Sequence, residues 1–318
     1  MQPGGWAPYD RRMDLRSPRR CAVIASLLTP LILLAAACAP ADDTTATSSG
    51  STSQSPSATG SDEPPAEDEC ATGSLPLYED GTLTIATDSP AFEPWFVDDD
   101  PTNGEGYESA VAYAVADELG FSDDEVTWVT VPFNSSYQPG TKKFDFDINQ
   151  ISITAKRAEA VTFSDGYYSA SQALITLKDS AYAGATSLAD FKDATIGAQV
   201  GTTSLDAITN EIAPDQQPFV YDDTNNAKQA LLNGQVDAIV SDLPTAFYIT
   251  AVEIPQGQLV GQFQVTSGET EQFGLLFEKG NPLVDCVNAA LAQLQQDGTI
   301  AAIEKRWLSN VVDVPELD

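Results

Sequence analysis

From Leu75 to the C terminus, short β-branched runs alternate with stretches whose apolar residues recur every three to four positions. This alternation constrains the fold more than any other feature. Thr82–Thr87, Val126–Val131 and Phe146–Thr154 read as strands, as do the shorter Leu174–Leu177, Thr195–Ala198 and Ala238–Val240. Glu108–Leu119 spaces Val111, Val115 and Leu119 four apart and stops at Gly120, so it reads as a helix. Further helices are expected at Ser204–Asn210, Asn225–Asn233, Pro244–Thr250, Pro282–Gln296 and Ile300–Trp307. Strands alternating with helices call for an α/β fold with mostly parallel sheets. The 244 residues from Leu75 onward suit two lobes.

The residues before Leu75 have a different character. Five arginines, Arg11 to Arg20, precede the uncharged apolar run Ala22–Ala37. The run is short for a membrane span and suits the apolar region of an export signal. It ends Leu34-Ala35-Ala36-Ala37-Cys38, small residues directly before a cysteine, as in a bacterial lipoprotein signal. Residues 1–37 are therefore expected to be removed and Cys38 to be lipidated. Asp42–Glu69 holds 12 Ser/Thr in 28 residues and no aliphatic larger than Ala. Such a segment cannot bury enough surface to order itself, and 38–74 is expected to be a spacer reaching roughly 30 Å.

Charge and cysteine content narrow the function. Fifteen Lys+Arg face 47 Asp+Glu, a net charge of -32, so nucleic acid is excluded as a partner. There is no histidine, which removes Ser-His-Asp hydrolysis and His-based zinc chemistry. No metal or cofactor is expected, and Asp98–Asp100 reads as a solvated loop. Beyond the signal, Cys70 and Cys286 are the only cysteines after Cys38, and export makes a disulfide between them the expected state.

Several segments, in order, carry a resemblance. They are Thr84-Ile-Ala-Thr-Asp-Ser-Pro-Ala-Phe92, Asp147-Ile-Asn-Gln-Ile-Ser-Ile-Thr-Ala-Lys-Arg157, Gly197-Ala-Gln-Val-Gly-Thr-Thr-Ser204 and Leu232-Asn-Gly-Gln-Val-Asp-Ala-Ile-Val-Ser-Asp242, with Asp297-Gly-Thr-Ile300 and Lys305-Arg-Trp307 at the end. Together they resemble the family-3 solute-binding proteins of polar amino-acid ABC importers. The resemblance implies a type II periplasmic-binding-protein fold. Residues 75–169 and 269–318 would form lobe 1, residues 170–268 lobe 2, with two crossing strands as the hinge. It further implies a monomer that delivers its amino acid to a membrane permease.

A free amino acid is a zwitterion, so its site needs a cation and donors at one end and an anion and acceptors at the other. The resemblance places Arg157 on the ligand carboxylate, where a planar guanidinium grips two oxygens. Thr203 stands at the second carboxylate contact, and Thr202, Thr203 and Ser204 open a helix whose free N–H groups favour an anion. Asp242 ends an apolar strand and matches the ammonium-binding aspartate. Ser152 and the Gln150 carbonyl would add acceptors. Phe92 and Phe133 would flank the ligand side chain, and Trp95 is a third aromatic candidate. Asp88 would meet the side chain's distal group, which favours a cationic or amide ligand, and Gln199 stands where specificity varies. Two other classes stay open: a cyclohexadienyl dehydratase-like enzyme, using carboxylates such as Asp88 or Glu93, and a sensor for a membrane receptor.

Overall fold

The computed structural model describes residues 70–265, 270–308 and 314–318, all within the compact unit Glu63–Asp318. The expected signal 1–37, the lipidation site Cys38 and the spacer up to residue 69 lie outside the described residues. No described helix is long and apolar enough to cross a membrane.

The described residues build two five-stranded sheets. In order come β1 (Leu83–Thr87), α1 (Tyr107–Glu118), β2 (Val126–Thr130), α2 (Phe133–Ser136), β3 (Phe146–Asp147), α3 (Ala155–Ala158) and β4 (Val161–Ser169). Then follow β5 (Gln172–Leu177), β6 (Ile196–Gln199), α4 (Thr203–Ala207), β7 (Phe219–Tyr221), α5 (Thr224–Leu232), β8 (Ala238–Asp242), α6 (Leu243–Tyr248) and β9 (Gly257–Phe263). The chain closes with β10 (Gln272–Glu278), α7 (Leu283–Gln296) and α8 (Thr299–Trp307). The first sheet runs β2-β1-β3-β10-β4 and the second β7-β6-β8-β5-β9. In each, one strand runs against the other four: β10 in the first, β5 in the second. These two antiparallel strands are the ones entered directly from the opposite sheet. The expected two-lobed α/β architecture is present, with mixed rather than purely parallel sheets.

Each sheet is buried on both faces. Leu83 and Ile85 of β1 point into a core with α1 and α7, while Ala86 faces a smaller one with Phe133 and Phe144. The second sheet is covered in the same way by two further clusters. In α7, Leu283, Cys286, Val287, Ala290, Leu291 and Leu294 form one buried stripe at helical spacing. Cys286 on that stripe is bonded to Cys70, with Cα atoms 5.4 Å apart, so the first described residue is tied to the penultimate helix.

Two differences from the sequence expectations bear on the site. Phe146–Thr154 is not one strand: the ladder stops at Asp147 and Gln150 takes a positive φ of 46°. The alternating pattern there belongs to a turn that crosses the cleft face. The resemblance also assigned all of 269–318 to the first lobe, yet the last five residues lie on the second sheet. Gln262 N donates to Pro315 O at 2.8 Å, Leu317 N donates to Gln262 O at 2.8 Å, and Leu317 is buried beside Phe263. Trp307 and Leu308 still belong to the first core, so the described residues change sheet three times.

Candidate functional site

A cavity of about 50 Å³ lies between the two lobes. Phe92, Phe133, Asn149, Gln150 and Ser152 line it from the first lobe. Gln199, Thr202, Thr203 and Ser204, with Thr224, Val240, Ser241, Asp242 and Thr245, line it from the second. The lobes touch around it: Trp95 Nε1 donates to Thr245 Oγ1 at 2.7 Å, and Ser152 Oγ sits 3.2 Å from Thr203 Oγ1.

One end is anionic. Asp242 stands at the carboxyl end of β8, where side chains of such sheets face the crevice. It opens α6 without capping it by its side chain; instead its Oδ1 accepts from Gln172 Nε2 at 2.8 Å. Burial, then the Glu271 carboxylate, pushes Asp242 up to about 8. Ser152 Oγ donates to Glu271 Oε1 at 2.6 Å.

The turn carrying Gln150 is held from behind. Glu108, fully buried on α1, accepts from Gln150 N at 2.6 Å, from Gln150 Nε2 and from the Tyr167 hydroxyl at 2.5 Å. The Gln150 amide therefore points away from the cavity. Burial raises Glu108 to about 7, against the lowering effect of those three donors. Next to it, Asn149 lines the cavity, and its buried Nδ2 has no hydrogen-bond partner.

The other end is built by the start of α4. Thr202 is the cap: its Oγ1 accepts from Leu205 N at 3.2 Å and donates to Gln199 O at 2.8 Å. That leaves the Thr203 hydroxyl free to face Ser152, while Ser204 Oγ donates to Gln172 Oε1 at 2.6 Å. Gln199 Oε1 accepts from Thr224 Oγ1 at 3.0 Å, which fixes a neutral polar patch beside the aromatic walls.

Eight of the ten ligand residues expected from the sequence line the cavity; Asp88 and Arg157 do not. Asp88 accepts from Ser89 N at 2.7 Å and Phe133 N at 3.0 Å, so its carboxylate anchors α2. Arg157 lies one layer back. It donates to Ser152 O at 2.7 Å and, across the lobes, to Gly201 O at 2.9 Å, with its guanidinium 5.3 Å from the Phe133 ring and 4.9 Å from the Tyr137 ring. Trp95 is wholly buried and does not line the cavity; its Nε1 reaches Thr245 and its backbone N–H the Phe92 carbonyl. Sequence reasoning missed Asn149, inside the Asp147–Arg157 segment, Thr245, three residues after Asp242, and Thr224 and Glu271, which no motif contains.

A family model for bacterial extracellular solute-binding proteins, family 3, matches residues 83–310. The chain belongs to that family. The arginine-binding extracellular protein ArtP of Bacillus subtilis (strain 168) is 28% identical over 211 residues, 64% of this chain and 78% of that one. Among solved structures, an ancestral arginine-binding protein bound to glutamine is 30% identical with a TM-score of 0.60, covering 72% of this chain and 99% of its own. An ancestral amino acid-binding protein, a precursor of cyclohexadienyl dehydratase, is 30% identical with a TM-score of 0.59, covering 71% of this chain and 95% of its own. The family is extracellular.

Proposed function

We propose that this protein captures a free polar amino acid outside the cytoplasm by closing its lobes, and delivers it to an ABC importer. The observation that carries this reading is the polarity of the cavity: the Asp242 carboxylate at one end, and the hydroxyls and N–H groups of the α4 start at the other. The ammonium would sit among Asp242, Ser152 Oγ and the Gln150 carbonyl. The carboxylate would take Thr203 and Arg157, whose guanidinium would exchange the Gly201 carbonyl for the ligand. An acyl chain on Cys38 and the Ser/Thr-rich spacer would keep the binding unit, as a monomer, near its permease.

The side-chain subsite favours an amide over a cation. Asp88, the group that favoured a guanidinium on sequence grounds, is engaged by two backbone N–H groups. Lys228 Nζ lies 5.8 Å over the Phe92 ring, so a cation already occupies that aromatic face. Asn149 Nδ2 needs an acceptor and Gln199 offers amide chemistry; a glutamine side chain supplies both an acceptor and a donor. The dehydratase reading is weaker because Asp88 and Glu93, its candidate acid and base, do not line the cavity. The test is a thermal-shift panel of the common amino acids on protein freed of bound ligand. Glutamine should give the largest shift, ahead of arginine and lysine. A panel in which no amino acid shifts the transition would sink the reading.

A further inference from the structure

The ammonium end of the cavity carries one carboxylate more than a zwitterion requires. Glu271 arrives on the second crossing between the lobes, just before β10. Its Oε1 accepts from Ser152 Oγ at 2.6 Å and its Oε2 from Gln172 Nε2 at 3.1 Å. The same Gln172 nitrogen donates to Asp242 Oδ1 at 2.8 Å. Gln172 is fully buried, and Ser204 Oγ occupies its Oε1, so the amide is fixed with its NH2 toward both acids. The two carboxylates thus share one nitrogen, with the bonded oxygens at most about 6 Å apart, a separation at which like charges oppose joint ionisation.

The other groups bearing on Asp242 do not relieve that opposition. Glu108 on α1 adds a further acid, and Tyr168 on β4 is neutral, pushed up by burial. Arg157 on α3 lowers Asp242, but as the last of its influences, and its donors go to the Ser152 and Gly201 carbonyls. Lys228, on α5, is held by Glu253 at 2.7 Å.

We propose that Asp242, set beside the Glu271 carboxylate, holds a proton in the ligand-free protein and releases it to solvent when the amino acid's ammonium arrives. Glu271 would then set the pH dependence of capture. The inference rests on Asp242 as the ammonium's partner. An ammonium supplies the positive charge that lets both carboxylates ionise, so one proton leaves as one cation enters. The value of about 8 for Asp242, raised by burial and then by Glu271, agrees with a proton held at neutral pH. The sign follows: the free site binds the proton more tightly than the occupied site. Affinity therefore rises with pH up to about 8, by close to tenfold per pH unit at its steepest.

The experiment is calorimetric titration of the whole mature protein with glutamine at pH 6, 7 and 8, in two buffers of different ionisation enthalpy. Wild type should release close to one proton per ligand at pH 6 and 7, with affinity rising about tenfold per unit. Glu271→Gln keeps the hydrogen-bonding shape and removes the second acid but not the burial, so release at pH 7 should fall below that of wild type and the pH curve should shift to lower pH. Ligand binding without proton release in wild type overturns the inference while leaving the binding function intact. So does a Glu271→Gln variant that releases as many protons as wild type. If Glu271→Gln does not fold, the wild-type proton count decides alone. If no amino acid binds at any pH, the proposed function fails and this inference with it.

Discussion

Replacing Glu108 should damage stability and binding together, because one buried carboxylate holds the turn that shapes the ammonium end. Glu108 accepts from Gln150 N, Gln150 Nε2 and Tyr167 Oη, and is fully buried. In Glu108→Gln one acceptor oxygen remains, and the new NH2 faces a donor. A buried N–H left unsatisfied costs about 1–3 kcal/mol. Gln150 also sits at φ 46°, a conformation that costs a non-glycine residue about 1 kcal/mol and that those bonds now sustain. The unsatisfied N–H predicts a loss of roughly 1–3 kcal/mol, or a melting temperature lower by about 2–12 °C for a unit of this size, while the strain at Gln150 favours relaxation of the turn. Once the turn relaxes, the Gln150 carbonyl leaves the ammonium. A hydrogen bond to a charged group is worth about 1.5–3 kcal/mol, so affinity should fall roughly 10- to 150-fold.

Scanning calorimetry and ligand titration at pH 7 measure both. A pH series adds a third check. Glu108 is raised from its ordinary 4.5 to about 7, so its proton favours the native state. That contribution is complete below pH 4.5 and is lost as pH rises through 7, and it should vanish in Glu108→Gln. A variant with an unchanged melting temperature and unchanged affinity would refute the reasoning.

Gly201→Ala should weaken ligand binding by about tenfold while leaving the melting temperature of the ligand-free protein within a few degrees. Gly201 has φ 76°, and a Cβ there would strike Asn134 Oδ1 and the Tyr137 hydroxyl across the lobes; wild-type affinity would show that this contact does not govern closure. Asp147→Asn should stabilise the protein by about 1 kcal/mol at pH 7, because both carboxylate oxygens of Asp147 are buried without a partner and burial raises its pKa well above the ordinary value. The gain should shrink as pH falls through the raised value towards the ordinary 3.8, below which the carboxyl is neutral in both states, and a variant less stable than wild type at pH 7 would contradict it. Removing the Cys70–Cys286 bond as a double serine variant should cost up to about 5 kcal/mol, given its 216-residue separation, and an unchanged urea midpoint would contradict this.

Much of this was legible from local pattern, and the exceptions share a cause. The buried stripe of α7, the strand before Asp242 and the threonines opening α4 follow from spacing and from cap chemistry that neighbours in sequence supply. Gln150 could not be read that way. Its N–H is claimed by Glu108, 42 positions earlier, so a run that alternates like a strand turns away from the sheet. Asp88 and Arg157 were assigned by motif, yet their partners are the Phe133 N–H and the Gly201 carbonyl, on distant segments. Glu271 lies in no motif; it matters only because the second crossing brings it against Ser152 and Gln172. The last five residues look like a tail, and only the edge of β9 reveals them as part of the second lobe.

The most direct test of the account is a calorimetric titration of glutamine into wild type and Asp242→Ala at pH 8, where the carboxylate is most available. Wild type should bind one glutamine per protein. Loss of the carboxylate leaves the ammonium buried and unpaired, which costs about 2–5 kcal/mol, so Asp242→Ala should bind roughly 30- to 5000-fold more weakly. Equal affinity in the two proteins would contradict the account, because the cavity between the lobes would then not be where the amino acid is held.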